Sequence, residues 1–259
     1  VPAGDVRNGF FRADGFDPAD ADVPGARLLG AAQEAFLTRW AGERPPGTWV
    51  KLVLSQSPFT AVHTLPAPAR TDAVVPSLEI LPEGALPPDD LPVLDADSNG
   101  WPQTARDRAL RIVRRANALH LAGDQHLGTV VRYGIDAFRD GPIAFTSPAV
   151  ANTWPRRWLP STPGADRRAG DPPWTGDFRD GFGNRITVLA VANPRRRGAE
   201  PAALHDRSPG YGIVRLDPAT RRVVLEAWPR AADPRAGGRP YAGWPITFRV
   251  ERDRWVRID

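Results

Sequence analysis

The chain has 259 residues, 41% hydrophobic and 25% charged, values that suit one large globular domain or somewhat more than one. It has no cysteine, which excludes disulfides, thiolate zinc sites and cysteine nucleophiles, and no apolar run long enough for a membrane span. The net charge is +4, but Lys51 is the only lysine and the signs interleave, as in Arg106-Asp107-Arg108, so specific nucleic-acid binding is not expected. An arginine-rich surface still favours anionic substrates through steering. The sequence contains no methionine, even at position 1, so a processed product or a piece of a longer chain is expected.

Residues 1–26 read as an irregular lead-in. Leu29, Ala32, Phe36, Leu37 and Trp40 recur at helical spacing, and Gly42 with Pro45-Pro46 ends that helix. Trp49 to Leu54 is β-branched and aromatic, a strand closed by Ser55-Gln56-Ser57-Pro58. The proline-rich stretch 64–96 keeps enough apolar residues (Val74, Val75, Leu78, Ile80, Leu81) to be an ordered excursion rather than a tether. A second helix is expected over 104–115, with Ala109, Leu110, Ile112 and Val113 in the core. A strand then runs into Gly123. Beyond residue 127 the texture is mainly β. Strands are expected at 130–133, 143–146 and 186–191, and a hairpin at 211–217 and 222–228, while 152–183 reads as a long loop. The expected class is α/β over residues 1–150, followed by a mainly β extension over 151–259 packed on it.

The segment Ala118-Leu119-His120-Leu121-Ala122-Gly123-Asp124-Gln125-His126 carries the clearest chemistry. A strand stops at glycine and presents a carboxylate and an imidazole two residues apart. Oxygen and imidazole nitrogen suit zinc, iron or manganese, and the carboxylate also suits calcium. The strand-end position matters because ligands of open α/β sheets gather at the carboxyl ends of strands. Gly123 is expected to make the sharp turn that keeps Asp124 and His126 on one side, facing a cleft.

Four blocks in order extend this: Leu28-Leu29-Gly30 with Gln33-Glu34-Ala35-Phe36-Leu37; Trp49-Val50-Lys51-Leu52-Val53-Leu54-Ser55-Gln56; Asp97-Ser98-Asn99-Gly100-Trp101-Pro102 with Arg106; and Gly123-Asp124-Gln125-His126. Together they resemble the alkaline phosphatase D (PhoD-like) branch of the calcineurin-like metallophosphoesterases, over about the first 150 residues. The resemblance implies an αββα sandwich and a phosphate-ester hydrolase with a multinuclear site of divalent or trivalent metal (calcium, iron, zinc or manganese). It also makes an exported location conceivable. It makes Asp124 and His126 metal ligands, and places Gln56, Asp97 and Arg106 in the surrounding or substrate-facing shell. Gln56 stands where the wider superfamily often has a histidine ligand. The family's early series of Asp-x-His, then Gly-Asp-x-x-Asp, then Gly-Asn-His-Asp/Glu is not complete in this sequence: Gly123-Asp124-Gln125-His126 contains one Asp-x-His, but there is no Asn-His pair. The chain thus resembles the C-terminal half of such an enzyme, as a fragment or a truncated paralogue, and is expected to be inactive alone.

Several residues have plainer readings. His120, alternating with Leu119 and Leu121, is expected to be a hydrogen-bonded core or supporting histidine rather than a ligand. His63 and His205 read as surface loop residues, and Arg195-Arg196-Arg197 as a solvated turn. Ser161 and Ser208 lack a nucleophile-elbow context. Trp154-Pro155-Arg156-Arg157-Trp158 is either an anion-binding lip or tryptophans packed against a sheet edge. The alternative to the phosphoesterase is a non-catalytic α/β binding or structural domain that keeps the fold without a complete metal site.

Overall fold

The computed structural model describes residues 10–12, 15–82, 84–152, 154–252 and 254–259. In chain order the first elements are strand β1 (Phe10–Phe11), helix α1 (Ala31–Gly42), β2 (Leu52–Leu54), β3 (Thr64–Pro66), β4 (Asp90–Pro92) and β5 (Leu94–Asp95). Helix α2 (Gln103–Arg115), β6 (Leu119–Ala122), β7 (Thr129–Tyr133), β8 (Ile143–Thr146), β9 (Gly176–Arg179) and β10 (Arg185–Val191) follow. A short helix α3 (Ala202–His205) then leads to β11 (Gly210–Asp217), β12 (Arg222–Pro229), β13 (Ile246–Val250) and β14 (Trp255–Arg257).

A six-stranded sheet, in the order β2-β6-β8-β7-β10-β9, organises the molecule. The contacts β2–β6 and β6–β8 are parallel, and the remaining three are antiparallel. The sheet draws strands from both sides of residue 150. Strand alternation sends Val131 and Tyr133 to one face and Val130 to the other. The first face packs under Ala109 and Leu110 of α2, together with Phe59, Trp158, Ile186 and Val188. The second face is covered by a four-stranded antiparallel sheet, β11-β12-β13-β14. Val223, Leu225 and Ala227 of β12 and Ile246, Phe248 and Val250 of β13 fill the space between the sheets against Ile143, Phe145 and Ala190. The protein is therefore a mixed α/β structure in three layers: helices, mixed sheet, antiparallel sheet.

α2 forms where periodicity expects it. Ala105, Ala109, Leu110, Ile112 and Val113 are buried on one stripe, and Arg114 and Arg115 in the last turn complement the helix dipole. α1 matches its expected position but not its expected face. Leu37 and Trp40 pack on Ile112 and Val113, whereas Ala32 is exposed and Phe36 is 55% exposed. Among the described residues the helix rests on α2, the turn after it and Val53 of β2, so two of the five stripe residues, Ala32 and Phe36, stay uncovered. The 64–96 excursion is ordered, with β3 pairing β4. The stretch 152–183 is not all loop, because β9 pairs with β10 inside it.

Candidate functional site

The three parallel strands β2, β6 and β8 end together, and the chain after each makes one rim. Ser55 N–H bonds Leu121 O (3.2 Å), Gly123 N–H bonds Gln56 O (2.9 Å), and Ser147 N–H bonds Ala122 O (2.9 Å). Asp124 and His126 lie on this rim, just beyond β6. Both hold left-handed backbone, with φ of 67° and 58°. Non-glycine residues adopt that region at a cost, and such residues cluster at functional sites. Gly123 does not make the turn: its φ is not positive, and an added Cβ would meet nothing nearer than Gln56 O at 3.9 Å. The reversal is carried by Asp124 and His126 themselves. Between them Gln125 is buried, its Nε2 donating to Thr60 O (2.6 Å), and this pins the loop to the interior.

Each candidate-ligand side chain is held at one atom. Ser57 Oγ donates to Asp124 Oδ2 at 2.5 Å, and Asp124 is exposed. His126 Nδ1 lies 2.7 Å from Trp154 O. A carbonyl only accepts, so Nδ1 carries a proton, and in the neutral ring Nε2 is the nitrogen with the lone pair. This is the arrangement that orients metal-binding histidines. Asn152 Nδ2 donates to His126 O (3.1 Å), tying the turn to the segment after β8.

Behind Ser57 runs a continuous hydrogen-bond chain. Ser55 Oγ donates its one proton to Ser57 O (2.7 Å), so His120 Nε2, 2.7 Å from that hydroxyl, must be the donor to it. His120 Nδ1 then accepts from Tyr133 OH (2.9 Å), whose oxygen accepts Phe59 N–H (3.0 Å). His120 is thus neutral with both nitrogens used, and burial pushes its pKa down to about 4. It supports the rim from beneath, as expected, and does not reach out of it. Burial also raises the Tyr133 phenol.

Arg106 is not substrate-facing. It is buried, donating from Nε to Phe59 O (2.7 Å) and from Nη1 to Gly134 O (3.1 Å) and Asp107 Oδ1 (2.6 Å). Its task is to hold the 55–60 loop from below. Gln56 and Asp97 are exposed, Gln56 on the rim itself.

The Trp154–Trp158 segment resolves in favour of packing. Arg157 forms a two-bonded pair with Asp90 (Nε–Oδ2 2.8 Å, Nη2–Oδ1 2.7 Å), and Arg156 pairs with Asp95, all four being buried. Trp158 is fully buried, edge-on to Phe178. These arginines are committed internally and do not make an open anion lip. Arg156 nevertheless feels the charges of Asp124 and Asp97 besides that of Asp95. A buried cation therefore sits within electrostatic reach of the rim. His63 is fully buried rather than at the surface, its Nδ1 3.3 Å from Arg157 O, and burial followed by the charge of Arg156 drives its pKa far down. His205 ends α3 and is half-buried.

Sequence reasoning finds Asp124, His126 and His120, but misses Ser55, Ser57 and Tyr133, which connect them. Serines in a turn give no periodic signal, and Tyr133 reads only as a strand aromatic. Among the described residues no group of three or more His, Asp or Glu is placed to hold a metal ion. Asp124 and His126 offer one carboxylate oxygen and one imidazole nitrogen, a donor pair that fits part of a ligand set. Comparison with family models, with curated proteins and with solved structures finds no match to this chain.

Proposed function

We propose that the chain is part of a metal-dependent phosphate-ester hydrolase of the PhoD-like kind, with Asp124 and His126 as two ligands of its metal site. The observation that carries this reading is the Asp-x-His turn. It stands at the carboxyl ends of parallel strands, in backbone that neither residue prefers, with the imidazole tautomer set by Trp154 O. Bound metal would polarise a phosphoryl oxygen and lower the pKa of an attacking water. The chain's own residues orient the ligands. Ser57 fixes the Asp124 carboxylate, the His120–Ser55 chain fixes Ser57, and Arg106 anchors the loop they share.

Two donors are too few for a metal pair, so the reading requires further ligands from outside the described residues. The sheet leaves room for them. Among the described residues β2 is paired on one side only, although parallel strands are normally interior. Leu54 on that edge is 74% exposed. A further α/β segment added there would supply both the missing cover and the missing ligands. It would also extend the layering toward the αββα sandwich, whose second helical layer would lie outside β11–β14.

The test compares this chain with the protein extended by the residues encoded upstream of Val1, each assayed with an aryl phosphate mono- or diester and added divalent metal. The 259-residue chain is expected to be almost inactive, and the extended protein to turn over with metal. His126→Ala should abolish that rate, whereas Arg196→Ala, at an exposed position, should barely change it. Turnover insensitive to His126→Ala would remove the site from this reading. An extended protein that neither binds metal nor hydrolyses would leave the non-catalytic α/β domain.

A further inference from the structure

The far end of the six-stranded sheet holds an arginine that the phosphoesterase reading does not use. Arg132 lies on β7, an interior strand, paired with Thr187 on one side and Ile143 on the other. Two residues along, Val130 belongs to the core between the sheets, so Arg132 projects to that same face. Ile143 begins β8, whereas the rim carrying Asp124 lies past the other end of that strand. The two places are at opposite ends of the sheet.

At Arg132 the layers part around a cavity of about 160 Å³. Its apolar wall includes Ile143, Val188, Leu189, Phe248 and Trp255. A cavity of roughly this size accommodates one benzene-sized ring. The polar wall is cationic, with Arg139, Arg167, Arg168 and Arg257 joining Arg132.

The charges around the cavity do not balance. Arg257 is neutralised by Asp171 (3.0 Å) and Asp259 (2.9 Å), and Arg139 by Asp177 (3.1 Å). Among the described residues Arg132 has only a main-chain hydrogen-bond partner, Gly141 O, at 3.2 Å from Nε. The carboxylate that acts on it, Asp140, is already engaged by the N–H groups of Ile135, Asp136 and Ala137 and by Arg114. Arg167 likewise donates to a main-chain carbonyl, that of Asp171, whereas Arg168 donates to the terminal oxygen of Asp259. Among the described residues the five lining arginines meet four side-chain carboxylates, Asp166, Asp171, Asp177 and Asp259, a surplus of one positive charge, and none of the four bonds Arg132. A half-buried guanidinium without a counter-charge, above an apolar wall, is costly unless an anion completes it.

We propose that this cavity binds a small organic anion. A carboxylate or phosphate head would pair with the Arg132 Nη groups, with Arg167 and Arg168 over the rim, and an aromatic or short aliphatic body would rest against Phe248 and Trp255. The assignment is independent of the phosphoesterase reading.

Benzoate and phenyl phosphate are the probes. They are titrated calorimetrically into the 259-residue chain in the presence of chelator at constant ionic strength, so that the metal rim is silent. At least one should bind and raise the melting temperature, and the stronger of the two identifies the head group. Arg132→Met, which keeps the stem, should weaken binding at least tenfold. The exposed double variant Arg167→Ala/Arg168→Ala, which does not endanger the core, should weaken it severalfold. Asp124→Asn should leave it unchanged. No binding of either probe by the unmodified chain would overturn the proposal. So would equal affinity of Arg132→Met, or inorganic phosphate binding as tightly as phenyl phosphate, which would mark an adventitious ion only.

Discussion

His120 is neutral because its surroundings remove water without offering a compensating charge, and its two partners are a hydroxyl and a phenol. Its pKa falls from 6.5 unfolded to about 4 folded. Below the unfolded value the unfolded chain takes up the proton and the folded one does not. The stability His120 contributes is therefore complete above about pH 6.5 and is lost as pH falls toward about 4. The full difference is roughly 3 kcal/mol by linkage. His63, also depressed by burial, acts in the same direction, while Asp95, raised by burial, opposes it. Urea midpoints at about pH 7.5 and about pH 4.5 should show a large drop for the natural chain and a clearly smaller one for His120→Gln. Equal drops would mean that His120 is not the titrating group. Asp124→Asn tests the rim at the same scale. Asparagine tolerates left-handed backbone and can still accept from Ser57, so stability should stay within about 0.5 kcal/mol while affinity for added Mn²⁺ falls. A loss of stability would show that the carboxylate is structural. The alternation around His120 is readable in the sequence. The left-handed backbone of Asp124 and His126 is not, because Gly123 offers itself as the turning residue and the actual constraint comes from Gln125, anchored by a residue 65 positions away.

Among elements, β12 carries the contact between the sheets. Leu225 is fully buried on it, facing the apolar side of the mixed sheet. Leu225→Ala should cost about 2–5 kcal/mol in urea denaturation, the range for a buried leucine whose cavity does not collapse. A cost below about 1 kcal/mol would mean that the second sheet is loosely attached. The β11–β12 hairpin and α2 are legible because their periods, two and 3.6, repeat over many residues. β9 is not: Gly-Asp-Phe-Arg has no apolar alternation and is a strand only because β10 offers it an edge. β13 does alternate, through Ile246, Phe248 and Val250, and is recoverable on the same rule as β12. The Phe36 stripe of α1 is a further lesson. Periodicity identifies the apolar face of a helix, but not whether a partner layer is there to meet it.

On the scale of the whole molecule, one sheet separates two different neighbours, helices and a second sheet, and its strands come from residues on either side of 150. The sequence pattern distinguishes these textures but not the sheet that joins them, since nothing local says that β10 pairs with β7 across some fifty residues. The edge at β2 has a further consequence, for how the protein behaves in a tube. A parallel strand with unpaired main-chain groups, ending in a leucine 74% exposed, is a template on which another copy can lay a strand. Concentrated solutions should therefore lose monomer with time, through growth in β-content rather than through unfolding. Leu54→Lys puts a charge on that edge without touching the core. It should extend the lifetime of the monomer in size-exclusion chromatography severalfold and leave the melting temperature where it was. If the lysine variant aggregates as fast as the parent, the sticky surface lies elsewhere, with the bare stripe of α1 the next place to charge.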